Sequence, residues 1–154
     1  MTDASTPPLA ATGHTFQVVV DAHDPHAQAD WWAETLQWEV EPQDEAFIRS
    51  MIDQGFATDA DTIVHRGHLV WREGCAINAP GGPASGRPRV LFQLVPEDKS
   101  VKNRVHLDVR PIDGDAEALR ASVLARGATQ IGAGRQGPHS WVVFTDPEGN
   151  EFCV

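Results

Sequence analysis

The segment Asn103-Arg-Val-His-Leu-Asp-Val-Arg-Pro-Ile-Asp113 decides the predicted fold. Within it, apolar and polar residues alternate in the order Val105, His106, Leu107, Asp108, Val109 and Arg110. Because the side chains of a strand point alternately to opposite faces, one face is apolar and the other carries an imidazole, a carboxylate and a guanidinium. Asp113 can then cap a following helix. The segment therefore predicts a strand that leads into a helix, with a polar face that is either solvated or the wall of a site.

The same pattern occurs near the start of the chain. Residues 16–21 form the first strand of the repeat, and Asp24-Pro25 supplies a helix cap and a proline suited to the first helical position. Our alignment matches Gln17 to His106, and Phe92-Gln93-Leu94 to Phe152-Cys153-Val154. Each half then consists of a strand, a helix and three further strands. The sequence predicts an α+β fold built from two βαβββ modules.

The expected boundaries of these modules follow from composition and turn residues. Residues 1–13 are small and polar, and we expect them to form a flexible N-terminal arm. The first module is expected to span residues 14–100 and the second residues 101–154. Apolar residues at helical spacing predict a helical insertion at about residues 42–62 of the first module.

Turn signals place further strands between these landmarks. Residues 63–71 predict two short strands, or a hairpin, around Arg66-Gly67. In the second half, residues 128–131 predict a short strand. Residues 132–138 contain three glycines and a proline, and therefore predict a loop. A strand over residues 140–145 follows.

Charge and composition exclude several classes of partner. The chain of 154 residues has a formal net charge of −10, which disfavours nucleic acid and anionic membranes as partners. No apolar run approaches the length of a membrane span, and no signal peptide is visible. The two cysteines, Cys75 and Cys153, do not suggest a disulfide framework. We therefore expect a reduced, cytoplasmic protein.

Two stretches carry a resemblance to a known family. They are Leu91-Phe92-Gln93 followed by residues 102–108, and the closing segment Asp146-Pro-Glu-Gly-Asn-Glu-Phe-Cys-Val154. With the duplicated module they make residues 16–154 resemble the vicinal oxygen chelate superfamily of glyoxalase I, extradiol dioxygenases and bleomycin-binding resistance proteins. The closest resemblance is to its glyoxalase-like domain subgroup, which is abundant in actinobacteria. The resemblance implies curved mixed sheets around a cup that holds a metal or a ligand, and commonly a homodimer.

The resemblance also implies where metal ligands should lie. It places a His or Gln in each first strand and a Glu in each last strand, which correspond here to Gln17, Gln93, His106 and Cys153. These four residues could hold a divalent metal, but both glutamates are absent and amide oxygens are poor ligands. We therefore expect no stoichiometric metal. We also expect neither glyoxalase I nor extradiol dioxygenase activity, since both reactions, as the resemblance presents them, need one.

The period-two pattern and the resemblance agree on one polar face as the binding site. The candidate ligand-binding residues are Gln17, Gln93, His106, Asp108, Cys153, Trp71 and Trp141. His106 is the candidate catalytic residue, as a general base or hydrogen-bond donor, and the two tryptophans could add aromatic walls. Other interpretations stay open. His106 could be a structural histidine, Cys153 a small buried hydrophobe, and the whole face a solvated surface.

Three functions are compatible with this pattern. The first is a protein that binds a small organic molecule in a cup lined by Gln17, Gln93, His106 and Cys153, without the usual metal. The second is a metal-dependent lyase, isomerase or dioxygenase of the vicinal oxygen chelate type. The third is an accessory ligand-sensing domain. The missing glutamates favour the first.

Overall fold

The computed structural model describes residues 14–154, and residues 1–13, predicted to form an arm, lie outside the described residues. The first part of the described chain contains β1 (Val18–Ala22), α1 (Pro25–Leu36), β2 (Glu39–Val40), α2 (Glu45–Asp53), β3 (Thr62–His65), β4 (His68–Trp71), β5 (Gly74–Asn78) and β6 (Val90–Leu94). It continues with α3 (Ala116–Ala125), β7 (Thr129–Gln136), β8 (His139–Thr145) and β9 (Glu151–Cys153). Short 3-10 turns lie at Asp59–Asp61 and Gly82–Ser85.

The two halves repeat one strand order. The first sheet runs β1-β6-β5-β2, with β1 parallel to β6 and the other pairs antiparallel. The second sheet runs β7-β8-β9, and residue Asp108 pairs in parallel with Cys153 at the outer edge of β9. Counted from that edge, the second sheet has the order residues 105–109, β9, β8, β7. This order corresponds to β1, β6, β5, β2 in the first sheet. The predicted α+β fold with a duplicated βαβββ unit is confirmed.

The third strand of the first module differs from the sequence prediction. The predicted hairpin forms around Arg66-Gly67, but β3 and β4 pair only with each other, as a separate two-stranded sheet. The central position belongs to β5, which the sequence analysis did not identify. Small residues such as Gly74 and Ala76 have weak strand propensity, and β5 is a strand because β2 and β6 flank it. The hairpin therefore extends the helical insertion.

The segment that opens the second module is less regular than predicted. Residues 105–109 form a single bridge, in which Val109 N donates to Cys153 O at 2.8 Å and Cys153 N donates to Leu107 O at 3.0 Å. Asp113 is not the helix cap. Its carboxylate accepts a hydrogen bond from Asp115 N, and the Asp115 carboxylate caps α3 through Ala118 N. The turn at Gly114 therefore delays the helix by two residues.

The predicted loop at residues 132–138 is also wrong. Strand β7 continues to Gln136, and only a tight turn separates it from β8. The prediction interpreted the glycines as loop residues, but Gly134 is needed for packing within a strand. A Cβ at Gly134 would lie 2.4 Å from the ring of Trp141, so the strand passes beneath this indole only with glycine there.

The pairing register corrects the alignment of the two modules. Asp21 lies opposite Gln93, and Asp108 lies opposite Cys153. The structural counterpart of Asp108 is therefore Asp21, and that of His106 is Val19 rather than Gln17. The sequence alignment was shifted by two residues, which preserves the face of the strand but moves the position along it.

Helix α1 joins the two modules. Its Trp31 and Trp32 rings meet Phe152 of β9 edge to face, with centroids 5.7 and 5.2 Å apart. The Trp32 indole nitrogen donates to the Asp146 carboxylate at 3.0 Å, and Asp146 is only 3% exposed. Glu148 accepts hydrogen bonds from the backbone nitrogens of residues 23 and 24, where α1 begins. The turn after β8 thus fixes α1 against the second sheet.

No helix among residues 14–154 has both the length and the apolar character needed to cross a membrane.

Replacing Asp146 should weaken the junction of the modules. In Asp146→Ala, buried donors including the Trp32 indole N–H lose their acceptor, and we expect the free energy of unfolding to fall by about 2–4 kcal/mol. The matched control is Asp113→Ala, since Asp113 is exposed and accepts one backbone hydrogen bond. Urea unfolding measures both. An equal loss in the two variants would contradict the assigned role of Asp146.

The connector between the modules is fixed to the second sheet through Glu151. Asn103 N donates to its carboxylate at 3.0 Å, and Lys99 Nζ lies 3.0 Å from the same oxygen. These contacts, with the backbone hydrogen bond the larger, lower the pKa of Glu151 from its ordinary value of 4.5 to about 2. Because the folded state favours the ionised form, this contribution to stability is fully present above pH 4.5 and is lost as the pH falls toward 2.

Glu151→Gln should therefore change the pH dependence of stability. Between pH 2 and 4.5 the free energy of unfolding of the wild type should rise with pH more steeply than that of the variant. The control is Glu117→Gln, whose side chain is exposed on α3. Chemical unfolding at several pH values gives the difference. Parallel curves for the wild type and Glu151→Gln would contradict the assignment.

Candidate functional site

The second sheet has one buried face and one open face. Leu107, Val109 and Phe152 belong to the core that α1 and α3 cover. Because strand residues alternate, the residues between them point away from this core. We call the side away from this core the open face. It carries His106, Asp108, Trp141, Val143, Thr145, Glu151 and Cys153. Cys153 lies directly opposite both Asp108 and Val143, which fixes the register of the whole face.

Three polar side chains converge on this face. His106 Nδ1 lies 3.1 Å from Asp108 Oδ1, and the candidate ligand atoms of His106, Asp108 and Cys153 all lie within 4.8 Å of one another. The histidine and aspartate side chains are 41% and 53% exposed. The sequence placed all three on one face but did not predict that His106 and Asp108 touch. Residues two apart on a strand share a face, so their side chains can meet there.

The thiol in this cluster does not have the environment of a nucleophile. Burial, and then the charge of the neighbouring Asp108, raise the pKa of Cys153. A reactive cysteine needs the opposite environment, with a lowered pKa. Asp108 also lies 3.1 Å from His106 Nδ1, so its carboxylate is close to both other members of the cluster.

The predicted aromatic wall, Trp141, is not part of this cluster. Trp141 lies two residues from Val143 on β8, and its half-buried indole covers Gly134 of β7. Because Cys153 lies on β9, on the other side of β8, the indole leans away from the cluster.

The other predicted residues, Gln17, Gln93 and Trp71, belong to the first module. Gln17 accepts a hydrogen bond from Arg89 Nη1 at 2.9 Å, at the start of β1. Gln93 lies opposite Asp21, four residues further along that strand, roughly 13 Å away. Trp71 lies on the hairpin sheet, where its backbone carbonyl accepts from His26 Nε2 at 2.8 Å.

These positions bear on the metal that the family resemblance implies. Ligands of one ion lie within about 2.0–2.6 Å of it, so Gln17 and Gln93 do not fit a shared site as they are placed. His106, Asp108 and Cys153 do form a group that could hold an ion. Cys153 would first have to lose its proton, against its raised pKa. The four-residue site therefore does not fit, and only a three-residue cluster remains.

A polar cavity is lined by residues that the sequence pattern did not indicate as site residues. It measures about 710 Å³ and lies between the end of β1 and the connector. Its lining includes Asp21, His23, Lys102, Asn103 and Glu148. Acidic and basic groups are mixed there, so the cavity does not favour one sign of ligand charge. The sequence alone does not predict this cavity, since the residues of its two walls are far apart along the chain.

Comparisons with known proteins agree with this architecture. The family model described as "Glyoxalase-like domain" matches residues 17–154. A hypothetical protein from S. aureus superimposes with a TM-score of 0.58 at 10% identity, covering 92% of each chain. A glyoxalase/bleomycin resistance protein/dioxygenase family enzyme from Burkholderia phytofirmans gives 0.54 at 15% identity, covering 90% of this chain and 94% of its own.

A third similar structure contains ligands. It is a variant of the fosfomycin resistance protein FosX from Listeria monocytogenes, complexed with Mn(II) and 1S,2S-dihydroxypropylphosphonic acid. Its TM-score is 0.57 at 8% identity, covering 92% of this chain and 88% of its own. No curated protein matches the sequence. The match over residues 17–154 shows that the chain belongs to the glyoxalase-like domain family, within the glyoxalase/bleomycin resistance/dioxygenase (vicinal oxygen chelate) superfamily.

Proposed function

We propose that this protein binds a small organic molecule on the open face of its second sheet, without the metal usual in the superfamily. The observation that carries the proposal is the convergence of His106, Asp108 and Cys153 on the open face, where their ligand atoms lie within 4.8 Å of one another. A few convergent polar groups are what fixes the orientation of a ligand in a small-molecule site. The partly exposed His106 ring offers a hydrogen bond.

The charges of the cluster narrow the class of ligand. Asp108 is half-exposed, and the chain as a whole carries a net charge of −10. A strongly anionic ligand would be repelled by this field. A neutral or cationic molecule with at least one hydrogen-bonding group fits better. Its polar group would face His106.

The donor set supports binding without a metal. Gln17 accepts a hydrogen bond from Arg89, and burial and the charge of Asp108 raise the pKa of the Cys153 thiol. A tight site usually holds its ion with more histidine, cysteine or carboxylate groups in a closed arrangement. His106 and Asp108 are instead two-fifths and one-half exposed. The proposed role of His106 is hence to bind the ligand directly, and catalysis by it would be metal-independent acid–base chemistry.

Elemental analysis tests the metal part of the proposal. Protein purified without chelator or affinity nickel should contain much less than one zinc, iron, nickel or manganese per chain, because only three clustered ligands are offered and one is protonated. Protein refolded in the presence of each ion is the positive control. One tightly held ion per chain, whose removal by chelator also removes an activity, would overturn the proposal and support a metalloenzyme.

A fragment screen by NMR tests the binding part. Small neutral or cationic compounds with a hydrogen-bonding group should shift the backbone signals of His106, Asp108 and Cys153. For a compound that binds, His106→Ala should raise the Kd about tenfold, as expected for one lost hydrogen bond. The matched control is His68→Ala, because His68 is exposed on the separate hairpin. Equal affinity of the wild type and His106→Ala would exclude the assigned role of His106.

A further inference from the structure

A second, apolar cavity lies at the seam of the two modules, defined as the boundary between β1 and residues 103–109. Its volume is about 190 Å³. The floor includes Trp32, Ile77 and Phe92, which are all buried in the core. The walls include Val18, Val20 and Leu107.

The cavity exists because two strand edges face each other without pairing. β1 pairs with β6 alone, and the bridge of residues 105–109 is made with β9. Among the described residues, no backbone hydrogen bond joins β1 to residues 103–109. The side chains of the core therefore reach the seam without a strand to cover them. At the rim, Val19 and Val105 stay 46% and 79% exposed.

The size and lining of the cavity define what could occupy it. A cavity of about 150 Å³ lined by aliphatic and aromatic side chains stays dry and accepts benzene. The seam cavity is slightly larger and its floor is similarly apolar, but it is far too small for a helix or a peptide strand. Unlike such a cavity it also has a polar part, which is lined by Asp21, Asn103, His106, Asn150 and Glu151. An occupant with one apolar ring and one neutral hydroxyl matches both parts.

We propose that the seam cavity is a binding site for a single aromatic ring of the phenol class, with the ring on the buried floor and the hydroxyl at the polar part. This proposal does not depend on the proposed function. Asp108, Trp141 and Cys153 do not line the cavity, so a ligand can occupy it whether or not the open face binds one. The two sites meet at His106 and Glu151.

The test uses 4-methylphenol and the full chain. At about ten times its Kd, the compound should raise the melting temperature of the wild type by about 3–5 °C. In Val20→Phe the new ring fills the cavity, and this shift should disappear. The matched control is Val64→Phe, because Val64 is 71% exposed on the hairpin and does not line the cavity. Its shift should equal that of the wild type. Equal shifts in all three proteins would overturn the proposal.

A second measurement does not depend on whether Val20→Phe folds. In the wild type labelled at valine and leucine methyl groups, the ring protons of 4-methylphenol should give nuclear Overhauser effects to Val18, Val20 and Leu107. Contacts to Val143 instead would place the compound on the open face and refute the seam site. If these nuclear Overhauser effects disappear as the protein self-associates, a second copy of the chain covers the seam. That result would also refute the proposed site.

Discussion

The buried hydrogen bond from the Trp32 indole to Asp146 is the contact on which the arrangement of the two modules depends. Asp146 is 3% exposed, and besides Trp32 it accepts from the backbone nitrogens of residues 148 and 150. The carboxylate is therefore satisfied only while the closing turn and α1 keep their places. A buried carboxylate without these donors would be costly, so the contact specifies one relative position of helix and turn. The same Trp32 ring forms part of the floor of the seam cavity.

The difference between the two faces of the second sheet follows from this junction. Once α1 and α3 cover one face of the second sheet, the alternate residues must lie on the open face. On this face His106 Nδ1 lies 3.1 Å from Asp108 Oδ1. The Cys153 thiol belongs to the same cluster, and burial and the charge of Asp108 raise its pKa. The open face and the seam cavity thus arise from one feature, a first strand of the second module that pairs on a single side.

The sequence predicted what depends on local pattern. The duplicated unit, the cap of α1 at Asp24 and the end of this helix at Gln37 all follow from residue type and spacing. The hairpin turn at Arg66-Gly67 also has the positive φ angles that its sequence suggests.

What depends on tertiary contact could not be predicted. β5 has weak strand propensity and is held by its neighbours, and β7 passes through Gly134 only because Trp141 covers it. The two-residue shift between Gln17 and Val19 is invisible to a period-two pattern, since both lie on the same face. For the candidate site, the alternation of residues predicted which side chains share a face. The contact between His106 and Asp108 is seen only in the structure.

A crystal structure of the protein with a compound from the NMR screen would locate the proposed site. We expect the compound to lie on the open face, with a polar atom within hydrogen-bonding distance of the His106 ring and with no metal ion between them. A compound bound only elsewhere, or one held through an ion on His106 and Cys153, would contradict the proposed function.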